Sequence, residues 1–352
     1  MSGGKCLKLK GNELEKVDFV KPQLTKSSEV LIEVLRAGVC GTDLHILEGS
    51  FGANQGVIMG HECVGKVAEV GSEVTECKVG DVVVVNPHGA CGDCYYCHRD
   101  CPHFCMKQAL DASLGMRRDG AFAPYTIAPG KSCYVLPPKV TLEDAILVEP
   151  YSCIMHAIDQ GSPIKEDQDI LVMGAGIIGL LATILLASKK IRNITVMELS
   201  DHRRETVQKM KLPGVRAVHP ADIGKEKEAA GTDPTYGYDR AFDFTGAPPA
   251  IQAGFENLRK KGKLVLFGVV KKEAECKLHL HDILMKEVEI TGALTNPGSL
   301  NPALEAIADL SQKKLLDLDF LDIKTFPLSE YQDAFDKLKK GTIAKAMFDL
   351  TK

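Results

Sequence analysis

The segment Ile170–Gly179, with the sequence ILVMGAGIIG, joins a predicted apolar strand to a predicted apolar helix through three glycines. Gly174 permits the tight turn, Gly176 lets a pyrophosphate approach the backbone, and Gly179 lets the helix pack closely on the strand. The amino terminus of the helix attracts phosphate charge. In this strand–helix context the glycine pattern predicts a dinucleotide-binding βαβ unit.

Strands and helices alternate around this segment, from about residue 169 to residue 291. That rhythm predicts parallel strands joined by right-handed helical crossovers, which form a doubly wound sheet. The predicted strands are 170–173, 194–197, 217–218, 238–244 and 264–267, and the predicted helices are 177–189, 201–211 and 249–258.

An acidic residue follows the second strand of this unit. Glu198 lies about 20 residues beyond Gly179, where a carboxylate binds the ribose hydroxyls of the coenzyme. A carboxylate repels a 2′-phosphate, so Glu198 favours NAD over NADP. Arg203 follows closely and could stack on the adenine or tolerate a phosphate, which leaves NADP as the alternative.

The segment before this unit has a different character. Residues 6–20 and 29–37 are predicted strands, and glycine-dense short strands follow, which is typical of a barrel-like β-domain. The tail, 296–352, contains a predicted helix, strand, helix and final strand. The 352 residues therefore favour a two-domain α/β protein.

Composition excludes several classes of function. The net charge of −4 argues against nucleic-acid binding, and the basic run Arg259–Lys263 is interpreted as a solvated turn. The longest apolar run is too short for a bilayer, and no signal segment is apparent at the N-terminus. Twelve cysteines then indicate reduced thiols and metal ligands. These features predict a cytoplasmic protein without a membrane partner.

Four closely spaced thiols predict a structural zinc ion. Their spacing suits a compact loop in which four thiolates hold the metal tetrahedrally, closed to water. Cys101 is a fifth thiol in this loop and is interpreted as a bystander. Alone, the cluster could be a zinc ribbon that binds nucleic acid or protein, but the acidic chain and the dinucleotide fold oppose that interpretation. The predicted ligands are Cys91, Cys94, Cys97 and Cys105.

Two short motifs, Cys40–His45 and Gly60–Glu62, predict a catalytic zinc site. Cys40, His61 and an acid supply three protein ligands and leave one position open. The acid is either Glu62, beside His61, or Glu149, which lies where the β-domain gives way to the α/β-domain.

The same motifs contain groups that can carry a proton. A metal cation eases deprotonation of an alcohol, whose hydride can then pass to the nicotinamide. Thr42 can accept the proton by hydroxyl relay, and His45 can release it to water.

Taken together, the chain resembles the zinc-containing medium-chain dehydrogenases, and within them the polyol (sorbitol, xylitol and arabinitol) dehydrogenase branch. The resemblance covers nearly the whole chain. It rests on Cys40–His45, Gly60–Glu62, the four-cysteine lobe, Val79–Val82, the Glu149–Pro150 pair and the glycine pattern Gly174–Gly179.

The resemblance implies a GroES-like catalytic domain, residues 1–153 and 296–352, with a Rossmann coenzyme domain, residues 154–295, inserted. It implies Glu62 as a direct zinc ligand and Glu149 as a direct or water-mediated partner. It also implies a homotetramer or homodimer built through the coenzyme domains. The residues it places at the dinucleotide are Ile178, Glu198, Arg203, Thr245, Phe267, Gly268, Val269, Leu294 and Thr295.

The chain differs from sorbitol dehydrogenases at two substrate positions. Ile46 replaces their usual Tyr, and Thr295–Asn296 replaces their usual Arg-Tyr. The predicted function is NAD-dependent, zinc-dependent oxidation of a secondary hydroxyl of a polyol to a ketone. The alternatives are oxidation of L-threonine or a simple secondary alcohol, and, more remotely, a non-catalytic zinc-binding protein of the same fold.

Overall fold

The computed structural model describes residues 4–108, 112–231, 233 and 235–351. Residues 1–3, on which part of the signal-segment prediction depends, lie outside this set. The chain divides into two compact units, which we call unit 1 (Met1–Ser152 and Asn296–Lys352) and unit 2 (Cys153–Thr295).

Unit 1 is built on a mixed sheet whose central strand is β3 (Glu29–Val39). β3 has buried residues on both faces because β4 and β15 flank it, β6 also pairs with it, and one apolar core surrounds them. In the described part of the chain the sheet runs β14-β15-β3-β4-β5-β7, and β1 and β2 form a separate hairpin. The other strands of unit 1 are β1 (Lys5–Lys10), β2 (Glu13–Asp18), β4 (Glu62–Val70), β5 (Val82–Val85), β6 (Tyr125–Pro129), β7 (Cys133–Val135), β14 (Ile323–Pro327) and β15 (Lys345–Asp349).

The helices of unit 1 are short at the front of the chain and longer in the tail. Thr141 caps the second of them, because its side chain accepts a hydrogen bond from the Asp144 backbone N–H. The helices are α1 (Gly41–Leu47), α2 (Leu142–Ala145), α3 (Val148–Gln160), which begins in unit 1, α9 (Leu300–Gln312) and α10 (Tyr331–Lys339).

Unit 2 is a doubly wound parallel sheet. Among the described residues its six strands run in the order β10-β9-β8-β11-β12-β13, and every neighbouring pair is parallel. The order reverses beside β8, the strand that precedes the glycine pattern, and ligands bind at such a switch point. The strands are β8 (Asp169–Met173), β9 (Asn193–Met197), β10 (Val215–Val218), β11 (Tyr238–Asp243), β12 (Leu258–Leu266) and β13 (Glu289–Gly292).

Helices connect these strands as the alternating pattern predicts. They are α4 (Ile177–Ser188), α5 (Asp201–Lys209), α6 (Pro220–Ala230), α7 (Pro248–Glu256) and α8 (Leu280–Lys286). The α4 helix is almost entirely buried, which explains why its sequence is apolar on all sides. The predicted α/β class, with a doubly wound sheet beside a β-rich domain, is confirmed.

One local interpretation is wrong. The run Arg259–Lys263 is part of strand β12 and not a solvated turn. Arg259 forms ion pairs with Asp169 on β8 and Asp239 on β11, at 2.8 and 3.1 Å. These acids come from other strands, so the local sequence gives no sign of them.

Within the described residues, no helix combines the length and the apolar composition that crossing a membrane requires.

Candidate metal and dinucleotide sites

Three of the predicted metal ligands come together in unit 1. One ligand atom each from Cys40, His61 and Glu62 lies within 4.8 Å of the other two. Cys40 is the N-cap of α1, and Glu62 is the first residue of β4, preceded directly by His61. A thiolate, an imidazole and a carboxylate at this separation fit a zinc ion with one position left open.

Glu62 is held by a buried lysine that the motifs did not predict. Lys345 Nζ lies 2.5 Å from Glu62 Oε2, and both side chains are only 1 % exposed. The amine also donates a hydrogen bond to the Val39 carbonyl. Burial lowers the pKa of Lys345, but the charges of Glu62, Cys40 and Glu149 outweigh burial and raise it. Lys345 is therefore charged and neutralises one of these acids.

The cross-strand neighbour of Glu62 makes room for this ion pair. Gly38 on β3 is paired with Glu62, and a Cβ at Gly38 would lie 1.8 Å from Oε2. The other oxygen, Oε1, is buried and has no hydrogen-bond partner among the described residues. A metal ion would satisfy that oxygen, which supports the fit of this site to zinc.

Asp43 faces the imidazole of His61. Asp43 Oδ1 and His61 Nδ1 are 3.6 Å apart, and neither has a hydrogen-bond partner in the described part of the chain. Burial lowers the pKa of His61, but Cys40 and Asp43 raise it well above its usual value. Asp43 also accepts a hydrogen bond from the Cys40 backbone N–H. Asp43 thus contacts the backbone of Cys40 and the ring of His61. Because it faces Nδ1 of the ring, Nε2 is left for a metal ion.

The predicted proton-carrying residues lie on α1. Thr42 Oγ1 is 3.6 Å from Cys40 Sγ. His45 follows three residues later, on the same face of the helix, with Nδ1 3.5 Å from Ser50 Oγ and a side chain that is 32 % exposed. Thr42 is therefore next to a ligand, and His45 reaches solvent.

Glu149 occupies a different position from Glu62. It is buried in the first turn of α3, and its charge acts on Lys345. It does not belong to the group of donors within 4.8 Å of one another.

The four predicted structural ligands also come together. One sulfur from each of Cys91, Cys94, Cys97 and Cys105 lies within 4.8 Å of the other three, and Cys101 is not in this group. The Cys91 backbone N–H donates a hydrogen bond to Cys105 Sγ. Burial raises the pKa of Cys105, but backbone N–H donors outweigh burial and lower it to about 6. Thiols at this separation, with amides that stabilise a thiolate, fit a tetrahedral zinc ion.

The glycine pattern in unit 2 forms the turn between β8 and α4. A Cβ at Gly179 would lie 1.9 Å from the Gly174 carbonyl oxygen, so only glycine allows this packing of helix on strand. Gly176 is the N-cap of α4 and Ile178 is its second residue. The free N–H groups of this terminus are those that a pyrophosphate binds.

Glu198 lies directly after β9 and contacts this turn. Its carboxylate accepts hydrogen bonds from the backbone N–H groups of Ala175 and Ser200, at 2.8 and 2.9 Å. Arg203 Nη1 is 3.9 Å from Glu198 Oε2. The acid is therefore fixed beside the second residue of the glycine pattern.

The remaining predicted coenzyme residues follow the carboxyl ends of the neighbouring strands. Those strand ends are adjacent, because Met173 is in register with Asp243, Asp243 with Leu266, and Leu266 with Gly292. The residues at this edge are Thr245 after β11, Phe267, Gly268 and Val269 after β12, and Leu294 and Thr295 after β13.

Asp243 orders part of this edge, and sequence reasoning missed it. Its carboxylate accepts hydrogen bonds from the Thr245 N–H and hydroxyl and from the Gly246 N–H. Burial raises the pKa of Asp243 although these bonds oppose the shift. Lys345 and Asp43 were missed as well. A lysine within the apolar final strand was a signal for the first, and an acid inside the Cys40–His45 motif was a signal for the second.

Comparisons with known proteins agree with these sites. Residues 26–138 match the family described as the alcohol dehydrogenase GroES-like domain, and residues 178–309 match the family described as zinc-binding dehydrogenase. The chain belongs to the zinc-containing medium-chain dehydrogenases. The resemblance predicted from the motifs is confirmed, as are the GroES-like and Rossmann parts of the fold and an enzyme that uses zinc and NAD(P).

Relatives of this dehydrogenase have several names. D-arabitol-phosphate dehydrogenase of Enterococcus avium is 31 % identical over 339 residues, which cover 95 % of this chain and 93 % of that protein. L-threonine 3-dehydrogenase of Pyrococcus horikoshii is 32 % identical over 345 residues, which cover 97 % of this chain and 95 % of that protein.

A solved structure is also similar along nearly its whole length. RspB of E. coli CFT073, described as a short chain alcohol dehydrogenase complexed with NADH, is 26 % identical with a TM-score of 0.84, and the match covers 98 % of each chain.

Proposed function

We propose that this dehydrogenase oxidises a secondary hydroxyl of a polyol, or of a polyol derivative, to a ketone and reduces NAD. The observation that carries the proposal is the group formed by Cys40, His61 and Glu62, with the Thr42 hydroxyl beside it. These residues provide a metal site and an adjacent proton acceptor, and a non-catalytic protein of the same fold needs no such acceptor.

We assign Cys40, His61 and Glu62 as the ligands of the catalytic zinc, with Glu149 nearby as a direct or water-mediated partner. Zinc held there supplies a Lewis acid that makes the alcohol hydroxyl easier to deprotonate. Lys345 takes one oxygen of Glu62 and leaves the other, Oε1, for the metal. Cys91, Cys94, Cys97 and Cys105 are assigned to the structural zinc.

The proton leaves through residues on α1. Thr42 accepts it from the alcohol and releases its own hydroxyl proton toward His45, one turn further along α1. His45 passes the proton to water, since its side chain is partly exposed. A Thr42→Val variant has nearly the same shape without the hydroxyl. We expect it to lower kcat by about 100-fold or more, whereas Thr42→Ser retains most of the activity.

We assign unit 2 as the coenzyme domain and unit 1 as the catalytic domain, close to the bounds 154–295 and 1–153 with 296–352. NAD is favoured because Glu198 is fixed at the glycine turn, where a 2′-phosphate would meet its negative charge. Arg203 lies beside it and leaves NADP as the weaker substrate. The remaining coenzyme contacts are proposed for the residues at the carboxyl edge of the sheet.

L-Threonine is the second candidate substrate, because a named L-threonine 3-dehydrogenase is as similar as the arabitol-phosphate enzyme. A simple secondary alcohol is the third. The test follows the absorbance of reduced nicotinamide with polyols, polyol phosphates, L-threonine and secondary alcohols, each with and without a chelator. If none of them reduces NAD or NADP, the proposed function is wrong. Activity that survives removal of the metal would contradict the zinc assignment.

We also propose a homodimer or homotetramer built through unit 2. Strand β13 is at the edge of its sheet, and the preceding helix α8 exposes Leu280, Leu284 and Met285 at 78, 73 and 60 %. Exposed apolar side chains beside an edge strand, which has one side open for pairing, are typical of a subunit interface. Leu284→Glu should dissociate the oligomer in light-scattering chromatography, whereas Lys286→Glu, outside this apolar set, should not.

A cytoplasmic location is proposed from the cysteines. Each of the twelve cysteines, all within the described residues, is a free thiol, which suits a reducing compartment.

A further inference from the structure

The loop that follows helix α1, residues 48–56, is attached to the proposed proton carrier. The backbone N–H groups of Ser50 and Phe51 both donate to the His45 carbonyl, at 2.9 and 3.2 Å. Ser50 Oγ also lies 3.5 Å from His45 Nδ1. This loop therefore starts at the end of α1 that carries His45.

A second segment, residues 113–120, contacts both this loop and the backbone at Gly60, which precedes His61 and strand β4. The Asn54 backbone N–H donates to the Met116 carbonyl at 2.8 Å. A Cβ at Gly115 would lie 2.5 Å from the Gly60 carbonyl oxygen, directly before His61. The segment is therefore fixed between the His45 loop and the backbone of a metal ligand.

Arg117 is on this segment, and its guanidinium is fixed without being neutralised. Arg117 Nη1 donates to Asn54 Oδ1 at 3.2 Å, and the Asn54 amide donates back to the Arg117 carbonyl at 3.1 Å. Nη2 faces Gly52, which has no side chain to cover it. Among the described residues, which omit 109–111, no carboxylate lies within 4.0 Å of this exposed guanidinium.

The charges of two other arginines in unit 1 have partners. Arg36 pairs with Glu143 and Asp349, and the Arg99 guanidinium lies over the Tyr95 ring. Arg117 differs because Nη1 is oriented by a neutral amide, while Nε and Nη2 donate to no acceptor among the described residues. A guanidinium in this state presents a fork that matches the two oxygens of a phosphate or a carboxylate.

We propose that Arg117 binds an acidic group of the substrate, a phosphate or a carboxylate, at the end remote from the hydroxyl that is oxidised. The substrate is then an anionic polyol derivative rather than a free polyol. This inference rests on the proposed function, since it places the acidic group relative to a hydroxyl held near Cys40 and Thr42. Asn54 is the positioning residue that orients the guanidinium.

The test compares a phosphorylated polyol with its free form in matched variants. Arg117→Gln removes the charge, Arg117→Lys keeps it without the fork, and Arg192→Gln removes an exposed arginine of unit 2 as the control. For the wild type we expect kcat/KM with D-arabitol phosphate to exceed that with D-arabitol by about 10- to 100-fold, the range of a charge-assisted hydrogen bond.

Arg117→Gln should remove this preference by raising KM for D-arabitol phosphate, with little change in kcat. Its kcat/KM with D-arabitol should also change little. Arg117→Lys should retain part of the preference. Arg192→Gln should behave as wild type with both substrates. Added salt should raise the wild-type KM for the phosphate and leave that of Arg117→Gln nearly constant. L-Idonate and L-threonine are tested as substrates that carry a carboxylate instead of a phosphate. The acidic group that Arg117 binds is the one whose substrates lose affinity in Arg117→Gln.

Several outcomes would overturn the inference. The first is an equal kcat/KM for charged and free polyols in the wild type. The second is an equal loss of kcat/KM for the phosphorylated polyol in Arg117→Gln and Arg192→Gln. Oxidation of free polyols with either result leaves the proposed function intact. Calorimetric titration with D-arabitol phosphate and L-idonate gives a readout that needs no turnover. If the wild type binds neither ligand, or Arg117→Gln binds them equally well, Arg117 is not the anion site. Thermal melts confirm that each variant is folded.

Discussion

The ion pair between Lys345 and Glu62 allows a sharp prediction about stability. The two side chains are buried at the metal site, with Nζ and Oε2 2.5 Å apart. Lys345→Met keeps the length of the side chain and removes its charge. Glu62 is then a buried carboxylate without its cation. It lies in the space left by the missing side chain of Gly38, which water does not reach.

The size of the effect follows from burial. Removing one partner of a buried pair costs about 3–5 kcal/mol, because the remaining charge stays desolvated. That is a large part of a total stability of about 5–15 kcal/mol. We therefore expect Lys345→Met to lose about 3–5 kcal/mol of unfolding free energy in metal-free protein. With zinc present the loss should be smaller, because the metal is then the cation beside Glu62.

Urea unfolding followed by circular dichroism measures these changes, since the chain has no tryptophan for fluorescence. Lys66→Met is the matched control, because Lys66 is on the same strand as Glu62 but exposed, and it should change stability by less than about 0.5 kcal/mol. The double variant Glu62→Gln with Lys345→Met should recover most of the loss. If metal-free Lys345→Met unfolds like Lys66→Met, or the double variant recovers nothing, Lys345 does not stabilise the buried charge of Glu62.

Three further predictions concern other parts of the molecule. Gly179→Ala places a Cβ 1.9 Å from the Gly174 carbonyl oxygen, so it should abolish NADH binding in a fluorescence titration, while zinc content stays unchanged. Cys97→Ser should lose the metal of the four-cysteine lobe in elemental analysis and retain the catalytic one. His88 has a pKa lowered to about 3 by burial and neighbouring cations, so the unfolded state binds its proton first as pH falls below about 6.5. Between about pH 7 and about pH 5, the free energy of unfolding of the wild type, measured in urea, should therefore fall by about 2 kcal/mol more than that of His88→Gln. Equal losses in the two proteins would contradict this.

The fold could be predicted because its signals are local. The glycine pattern after Ile170–Met173 requires a tight turn and a close helix, and each requirement is visible within ten residues of sequence. The metal donors were also predictable, since Cys40 and the His61–Glu62 pair are chemically unusual together. Their distances could not be predicted, because they depend on the pairing of β3 with β4.

Lys345 shows why the rest of the site could not be predicted. It reaches Glu62 only because the last strand, β15, pairs with β3 on the side opposite β4. In the sequence it is a lysine in an apolar strand, and only the sheet order names its partner. Arg259 shows the same limit, since its two acidic partners come from separate strands and its run of basic residues has the composition of a turn.

The charges around the metal site connect its ligands with the proposed substrate. Cys40 and Asp43 raise the pKa of His61, and Cys40, Glu62 and Glu149 raise the pKa of the buried Lys345. Such an excess of acidic groups suits a divalent cation and opposes a second anion close by. An acidic substrate must therefore place its charge away from this centre while its hydroxyl enters it. Arg117 meets that requirement, because it is fixed to the His45 loop yet exposed. With the acidic group held at Arg117, the hydroxyl that is oxidised depends on how far the substrate reaches toward Thr42.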